Sequence, residues 1–281
     1  MCAVFKERDA PLKRERVAVL AGGGELPVHF LKKAAEKNIE AVVIGIKGEE
    51  NPAAIKLASR YHKVKFSSIT KIIGLLKKEK INKLVFLGYI RHTEVLKPGN
   101  LSLDLRAMKV LLRAADLRTA PLMNEIIKEL EGEGIRVLPT TYLMEGLLAP
   151  AGAAGRVRPK GRALKDAEFS FKMASELARA DIGQTVVVKN GVVVAAEAQE
   201  GTDECIRRGA KIAGPGFVAA KAARPKQDLR YDVPVIGIKT IKLLKELKAA
   251  GVVVQAGKTF LLDREEAVKT ADRSRLFILG R

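Results

Sequence analysis

Charged residues that could do chemistry are concentrated between Lys221 and Gly237, where the sequence reads KAARPKQDLRYDVPVIG. Cations alternate with carboxylates there, and Pro225 and Pro234 prevent one continuous helix or strand. Cations can hold phosphate oxygens, while a carboxylate can hold a metal ion or a water molecule. The pattern indicates a loop that binds a polyanionic phosphate, with a solvated basic loop as the alternative. Its charged members are Lys221, Arg224, Lys226, Asp228, Arg230 and Asp232.

Three glycines, Gly22, Gly23 and Gly24, follow an apolar, valine-rich segment and precede a helical pattern. Glycines at such a turn let the backbone approach a phosphate, and a helix N-terminus offers free N–H groups. The spacing is not GxGxxG, and no acidic residue clearly closes the second strand, so a nicotinamide enzyme is disfavoured. We expect contact with a nucleotide or sugar phosphate, with a plain tight turn as the alternative.

Gly88, Tyr89, Ile90 and Arg91 come directly after the apolar segment 83–87. Ligands of parallel sheets bind beyond the carboxyl ends of the strands. We therefore expect this loop to face the same cleft as the three glycines. An ordinary connection between a strand and a helix is the alternative.

Carboxylates also cluster in the stretch EAQEGTD that follows a predicted hairpin. Thr202 or Asp203 can cap the next helix, which leaves Glu197 and Glu200 unexplained. Mg²⁺ takes carboxylate oxygens, keeps several waters and needs only one or two protein carboxylates. Glu200 and Asp203, together with Asp232, could supply them if the two loops meet.

Several chemistries have little support in the residue pattern. His29, His62 and His92 are far apart, whereas a zinc or binuclear metallophosphoesterase site needs clustered His and Asp. No nucleophile elbow and no Walker-type GxxxxGK[ST] occurs in the sequence. Covalent catalysis and ATP hydrolysis are therefore disfavoured.

The composition narrows the range of partners. The 281 residues carry a net charge of +19, which favours anions such as nucleotides, nucleic acid or an anionic membrane surface. Cys2 and Cys205 suggest a reducing compartment and no disulfide framework. The apolar runs fall short of the ~20 residues of a membrane span, and the N-terminus lacks a signal-peptide pattern. We expect a soluble, cytoplasmic protein.

Apolar segments alternate with helical patterns in the first half, as in 16–20, 28–35 and 41–46, which is typical of a βαβ unit in a three-layer α/β domain. The second half mixes crossovers with hairpins, one turning at Asn190-Gly191 and one within 252–262, so its sheet should be mixed. We predict an α/β protein with two domains. A Rossmann-like N-terminal domain with a mainly parallel sheet (1–144) is joined by a linker (145–162) to a C-terminal mixed α/β catalytic domain (163–281).

Five blocks together match one known family. They are AGGGELP at 21–27, GYIR at 88–91, DIGQ at 181–184, EAQEGTD at 197–203 and K-x-x-R-P-x-Q-D-x-R-x-D-x-P-x-I-G from 221. Their order and spacing agree over nearly the whole chain, from Val17 to Gly280. The sequence thereby resembles the UDP-2,3-diacylglucosamine pyrophosphatases of the lipid A pathway, of the type unrelated to the metallophosphoesterase that performs the same step.

The resemblance implies a Mg²⁺-dependent hydrolase that converts UDP-2,3-diacylglucosamine into UMP and 2,3-diacylglucosamine 1-phosphate (lipid X). Water would attack the β-phosphate, with the substrate held between two domains. The family's essential aspartate aligns with Asp232, as Mg²⁺ ligand or general base, because both roles need an ionised carboxylate. Glu200 is the second metal candidate. Arg224 stands where the family often has Lys.

The resemblance also assigns the substrate contacts. Lys221, Gln227 and Arg230 fall on positions that would line the pyrophosphate. The residues expected to contact the nucleotide or sugar are Gly22, Gly23, Gly24, Gly88, Tyr89, Ile90, Thr140, Gly183 and Asp203.

Further expectations concern partners. The resemblance implies transient contact with the inner face of an anionic inner membrane, which the net charge would favour. No nucleic-acid partner is expected, and a homodimer stays open. Two other functions remain as alternatives: a non-catalytic basic α/β protein that binds RNA or DNA, and an enzyme that modifies a UDP-sugar at the glycine turn. The first has only the net charge in its favour and lacks aromatic platforms.

Overall fold

The computed structural model describes residues 14–90, 104–114 and 119–281, and the chain divides into two compact units between Leu143 and Met144. Each unit has its own sheet with helices. The first sheet is parallel and the second is mixed, so the predicted fold class is confirmed.

The first unit is built on a five-stranded parallel sheet. Its described strands are β1 (Arg16–Ala21), β2 (Glu40–Ile46), β3 (Arg60–Val64), β4 (Lys83–Leu87) and β5 (Arg136–Leu138). Its described helices are α1 (Leu26–Glu36), α2 (Pro52–Leu57), α3 (Ile69–Lys78), α4 (Leu105–Arg113) and α5 (Thr119–Gly132). The order β3-β2-β1-β4-β5 places β4 directly beside β1. The strand order therefore reverses between β1 and β4, where ligands of open α/β sheets bind.

The second unit has a six-stranded mixed sheet and a small two-stranded sheet. Its strands are β6 (Gly152–Ala153), β7 (Thr185–Lys189), β8 (Val192–Ala196), β9 (Val218–Lys221), β10 (Val235–Ile236), β11 (Gly251–Val254), β12 (Phe260–Leu261) and β13 (Phe277–Gly280). Its α-helices are α6 (Gly161–Arg179), α7 (Thr202–Ala213), α8 (Ile238–Glu246) and α9 (Arg264–Arg273). The large sheet runs β6-β13-β11-β9-β7-β8, with β13, β11 and β9 parallel and the other pairs antiparallel.

The large sheet of the second unit separates two apolar clusters. Successive side chains of a strand point to opposite faces, and the strands follow that rule. Val218 and Ala220 of β9 pack with the alanines of α6, whereas Ala219 between them packs with residues of α7, α8 and α9. Gly209 of α7 lies so close to the sheet that a Cβ would be 2.7 Å from the Cβ of Val187. The sheet is therefore covered on both faces, and the free ends of its strands carry the polar residues.

Two predicted features of the second unit differ from the structure. The predicted hairpin within 252–262 is wrong, because β11 pairs with β9 and β13 while β12 pairs with β10 in the small sheet. The range 145–162, which we expected to be a linker, lies in the second unit, where β6 pairs with β13 and Leu148 bridges Phe260. A composition rich in Gly, Ala and Pro is typical of an irregular segment at the edge of a sheet as well as of a linker.

Candidate active site

The glycine turn of the first unit lies at the switch point between β1 and β4. The amide of Gly22 donates to the carbonyl of Leu87 at 2.8 Å, and Gly23 and Tyr89 exchange two backbone hydrogen bonds of 2.8 and 3.1 Å. A Cβ at Gly22 would collide with the carbonyl oxygen of Tyr89, and one at Gly88 with that of Gly23. The two loops therefore meet as predicted, and close backbone approach alone explains these glycines.

The other residues of the first unit that we expected to contact the substrate differ in how exposed they are. Tyr89 is 58% exposed and its ring lies beside Gly24. Ile90 is half-buried, whereas Arg91 lies outside the described residues. Thr140 is buried, and its hydroxyl donates to the carbonyl of Phe86 at 3.2 Å, so this hydrogen bond ties Thr140 to strand β4.

Glu49 is an acidic residue at this turn that the sequence reasoning missed. It is 4% exposed, and its Oε2 would lie 2.9 Å from a Cβ at Gly23. Glu49 does not follow β2 directly, because a turn at Gly48 intervenes, in which the Glu49 amide donates to the carbonyl of Ile46 at 3.1 Å. Asn51 also supports the turn, donating from Nδ2 to the carbonyl of Gly24 at 2.9 Å.

In the second unit, Lys221 ends the central strand β9 and is the core of a polar network. Its Nζ donates to Oγ1 of Thr202 at 2.7 Å, and that hydroxyl donates to Oε1 of Glu197 at 3.1 Å. Burial lowers the pKa of Lys221, while the charges of Glu197, Asp203 and Asp232 act in the opposite direction. The lysine is half-buried and faces carboxylates of three segments: the stretch after β8, the first turn of α7 and the loop after β9.

Asp232 is held by an ion pair with Arg224. Nη1 of Arg224 lies 2.8 Å from Oδ2 of Asp232, and its Nε donates to Oδ1 of Asp181 at 2.6 Å. The side-chain amide of Gln184 is oriented so that its nitrogen donates to the carbonyl of Ala222 at 3.2 Å. Its oxygen then accepts from Nη1 of Arg224 at 2.9 Å. Arg224 therefore joins the DIGQ segment to the predicted catalytic aspartate.

Arg230 and Asp228 form a local pair within the same loop. Oδ2 of Asp228 accepts from Nη2 and Nε of Arg230 at 2.7 and 3.1 Å, and the Arg230 amide donates to Oδ1 at 2.9 Å. The hydrogen bond from Arg230 is the largest cause of a lowered pKa of Asp228. The carbonyl of Asp228 also accepts from the Asp232 amide at 3.0 Å, so this residue shapes the loop around Asp232.

One end of the Gln227 side-chain amide forms a hydrogen bond within the loop that follows β9. Its Oε1 accepts from the Arg224 amide at 3.0 Å, while its Nε2 is buried without a hydrogen-bond partner in the described residues. A buried, unpaired N–H is costly, and a ligand oxygen would relieve that cost.

Glu200 lies in a separate ion pair. One of its oxygens pairs with Arg208, and the other accepts from the Ala198 amide at 2.9 Å. The hydrogen bond from Arg208 is the largest cause of the lowered pKa of Glu200. Across the described ranges, no three His, Cys, Asp or Glu residues are grouped so that they could hold a metal ion. The structure therefore brings Asp203 and Asp232 within electrostatic range of Lys221 but gives Glu200 a different partner.

Gly183 and Thr202 each have a local structural role. Gly183 faces the backbone of Glu197, where a Cβ would collide with the carbonyl oxygen, so its small size joins the DIGQ and EAQEGTD segments. The expected capping of α7 by Thr202 or Asp203 is wrong, because Gly201 is the N-cap and no side chain caps the helix. The hydroxyl of Thr202 is used by Lys221 and Glu197 instead.

The two units therefore define an α/β protein with a glycine turn at the strand ends of the first and a group of lysine, arginine and carboxylates at those of the second. Such features are typical of α/β proteins that bind phosphorylated ligands. Family models confirm the expected resemblance: residues 16–147 match the LpxI N-terminal domain and residues 150–279 match the LpxI C-terminal domain. This chain belongs to the LpxI family.

A curated relative matches over most of both chains. It is the UDP-2,3-diacylglucosamine pyrophosphatase LpxI of Caulobacter vibrioides, 32% identical over 276 residues, which cover 94% of this chain and 97% of that protein.

Two of the solved structures to which this chain is similar are much more distant. A glycinamide-RNase-transformylase T from Mycobacterium tuberculosis is 16% identical over 66% of this chain and 44% of its own, with a TM-score of 0.25. A biotin carboxylase from Campylobacter jejuni is 11% identical over 71% of this chain and 42% of its own, with a TM-score of 0.29. This chain spans less than half of each, and likenesses of this size carry no argument about fold or function.

None of the helices in the described residues is both long enough and apolar enough to cross a membrane.

Proposed function

We propose that this chain hydrolyses the pyrophosphate bond of UDP-2,3-diacylglucosamine to UMP and 2,3-diacylglucosamine 1-phosphate. The observation that carries the proposal is that Lys221, at the end of β9, faces the charge of Asp232, which Arg224 holds by an ion pair, in a chain that belongs to the LpxI family. Splitting a pyrophosphate requires charge neutralisation, positioning and an attacking water, and these residue types suit the three tasks.

In the proposed reaction, the oxygen of a water molecule attacks the β-phosphorus. The bond from that phosphorus to the bridging oxygen breaks, and UMP leaves with the bridging oxygen. Lys221 holds the pyrophosphate oxygens, with Arg230 as a second cation and the buried Nε2 of Gln227 as a neutral donor. Asp232 orients the water and accepts its proton, or holds the metal ion, and Arg224 keeps its carboxylate in place.

We propose Mg²⁺ as the cofactor, held by few protein groups. The donors present do not form an all-protein cage, because the described residues contain no cluster of three ligating side chains and Glu200 is paired with Arg208. They do fit a magnesium ion that takes one carboxylate, Asp232, and completes its shell with substrate oxygens and water. When bound, the ion would neutralise the charge that develops on the phosphate oxygens.

We further propose that the protein acts in the cytoplasm at an anionic membrane surface, where a substrate with two acyl chains would reside. The net charge of +19 supports this location through long-range attraction. Helix α4 is the candidate for direct contact: Leu105, Met108 and Leu112 are 77%, 47% and 84% exposed, and Lys109 and Arg113 are exposed beside them. Apolar and basic residues on one exposed side are typical of helices that lie in a membrane interface.

The decisive experiment measures UMP release from UDP-2,3-diacylglucosamine, with and without Mg²⁺, by the wild type and by Asp232→Ala. We expect Mg²⁺-dependent release by the wild type and loss of release in the variant. Full activity of the variant would contradict the role of Asp232. A wild type that shifts bulk RNA but releases no UMP would favour the nucleic-acid alternative, and turnover of UDP-sugars without acyl chains would favour the UDP-sugar alternative.

A further inference from the structure

The hydroxyl of Thr202 uses its full hydrogen-bonding capacity within the polar network. It accepts from Nζ of Lys221 at 2.7 Å and from Oγ1 of Thr185 at 3.3 Å, and it donates to Oε1 of Glu197 at 3.1 Å. A threonine hydroxyl has one proton and two lone pairs. Since the proton is given to the carboxylate, both lone pairs are available to the donors, and the chain runs in one direction from the ammonium group to the carboxylate.

Glu197 is itself fixed by the backbone. Its Oε2 accepts from the Gln184 amide at 3.2 Å, its own amide donates to the carbonyl of Thr185 at 2.8 Å, and Gly183 lies against its carbonyl. The side chain is therefore anchored on both sides. Helix capping does not require Thr202 either, because α7 begins after Gly201 without a side-chain cap.

We propose that Thr202 and Glu197 are positioning residues that hold the Lys221 ammonium group in place for the reaction, an inference that rests on the proposed function. A lysine has a flexible four-carbon stem and would otherwise move among several rotamers. A fixed acceptor removes that freedom before the substrate arrives, which is the general advantage of preorganised charge. Neither residue needs to touch the substrate.

The charges that face Lys221 influence its pKa, so the inference can be tested through the pH dependence of activity. Glu197, Asp203 and Asp232 favour its protonated form, against the burial that lowers its pKa. Removing the Thr202 hydroxyl or the Glu197 charge would lower the pKa of Lys221 further. Activity that requires the ammonium form would then decline at a lower pH on the alkaline side of its profile.

The test compares Thr202→Val, Thr202→Ser and Glu197→Gln with the wild type in UMP release across pH. We expect Thr202→Val and Glu197→Gln to lose about 10–100-fold in kcat, with KM changed much less, because misplaced catalytic groups cost rates of this order. Both should also shift the alkaline limb of the profile to lower pH. Thr202→Ser, which keeps the hydroxyl, should restore the wild-type profile.

Thr259→Val is the matched control. Thr259 is a fully buried threonine of the same unit, and its hydroxyl has no hydrogen-bond partner in the described residues. It should keep the wild-type kcat and pH profile. If Thr202→Val does not fold, judged by circular dichroism and its thermal midpoint, Thr202→Ser and Glu197→Gln decide the question.

The outcomes separate this inference from the proposed function. An inactive wild type would overturn the proposed function and the inference with it. If the wild type is active and either Thr202→Val or a folded Glu197→Gln retains both the wild-type kcat and the wild-type alkaline limb, the inference is overturned and the proposed function stands. A loss of kcat without any shift of the limb would also overturn it, because it would indicate a merely structural role.

Discussion

Arg224 and Asp232 form an ion pair of 2.8 Å between Nη1 and Oδ2, and the same guanidinium reaches Asp181 through Nε at 2.6 Å. One planar side chain thus connects the loop that follows β9 with the segment that follows α6. Asp232 is therefore oriented by a residue that is itself anchored, so the carboxylate has a defined direction in the absence of substrate.

Replacing this bridge should affect catalysis more than stability. Arg224→Lys keeps the charge but has a single nitrogen, which cannot reach both carboxylates in the forked geometry of arginine. We expect kcat for UMP release to fall about tenfold or more, since the orientation of Asp232 is lost. Lys242→Gln breaks an exposed ion pair with Glu266 and is the matched control, expected to retain full activity. Unchanged kinetics in Arg224→Lys would show that the bridge is dispensable.

Asp228 should contribute to stability in a pH-dependent way. Its pKa in the folded state lies below the ordinary value of 3.8, mainly because of Arg230. A lowered pKa means that the stabilisation is present above the ordinary value and is lost as the pH falls through the folded-state value. Asp228→Asn should therefore lower the free energy of unfolding by about 1 kcal/mol at pH 7, with a smaller difference at pH 3. Urea denaturation at both pH values measures this, and an equal difference at both would contradict the ion-pair explanation.

The glycine turn of the first unit should tolerate no side chain at Gly22. A Cβ there meets the carbonyl of Tyr89, so Gly22→Ala should cost about 2 kcal/mol of unfolding free energy through overpacking. Gly74 in α3 is the control in the same unit, because a Cβ there meets nothing within 4 Å. Gly74→Ala should stabilise by about 0.5–1 kcal/mol. Equal effects of the two substitutions on the denaturation midpoint would show that the contact between the two loops is unimportant.

Membrane contact through α4 can be measured without activity. We expect the protein to sediment with vesicles that contain phosphatidylglycerol and much less with vesicles of phosphatidylcholine alone, and less as salt is raised. Changing Leu105, Met108 and Leu112 together to Gln should weaken binding roughly tenfold, because the apolar face no longer inserts. The control changes Ile55 and Leu57, which are also exposed in the first unit, to Gln. Equal loss in both variants would indicate that α4 is not the contact.

Local patterns allowed much of the fold to be predicted. The apolar run of β1, the glycine turn and the run of β2 are typical of a parallel unit buried on both faces, and the structure confirms this arrangement. Strand β9 was missed because VAAK is short, rich in alanine and lacks a period that distinguishes a strand from a helix. Pairing partners were also missed: β11 and β12 are close in sequence, yet non-local pairing places them in different sheets.

The residue types at the strand ends of this protein can be read from the sequence, because the charges of the 221–237 segment, the glycine turn and the carboxylates of EAQEGTD are visible without coordinates. Which of these residues meet depends on the fold. It set Lys221 against Thr202, paired Asp232 with Arg224 and gave Glu200 to Arg208. The physical reason is that hydrogen bonds and ion pairs act over a few ångströms, whereas these partners are brought together by sheet order and helix packing, which no local pattern encodes.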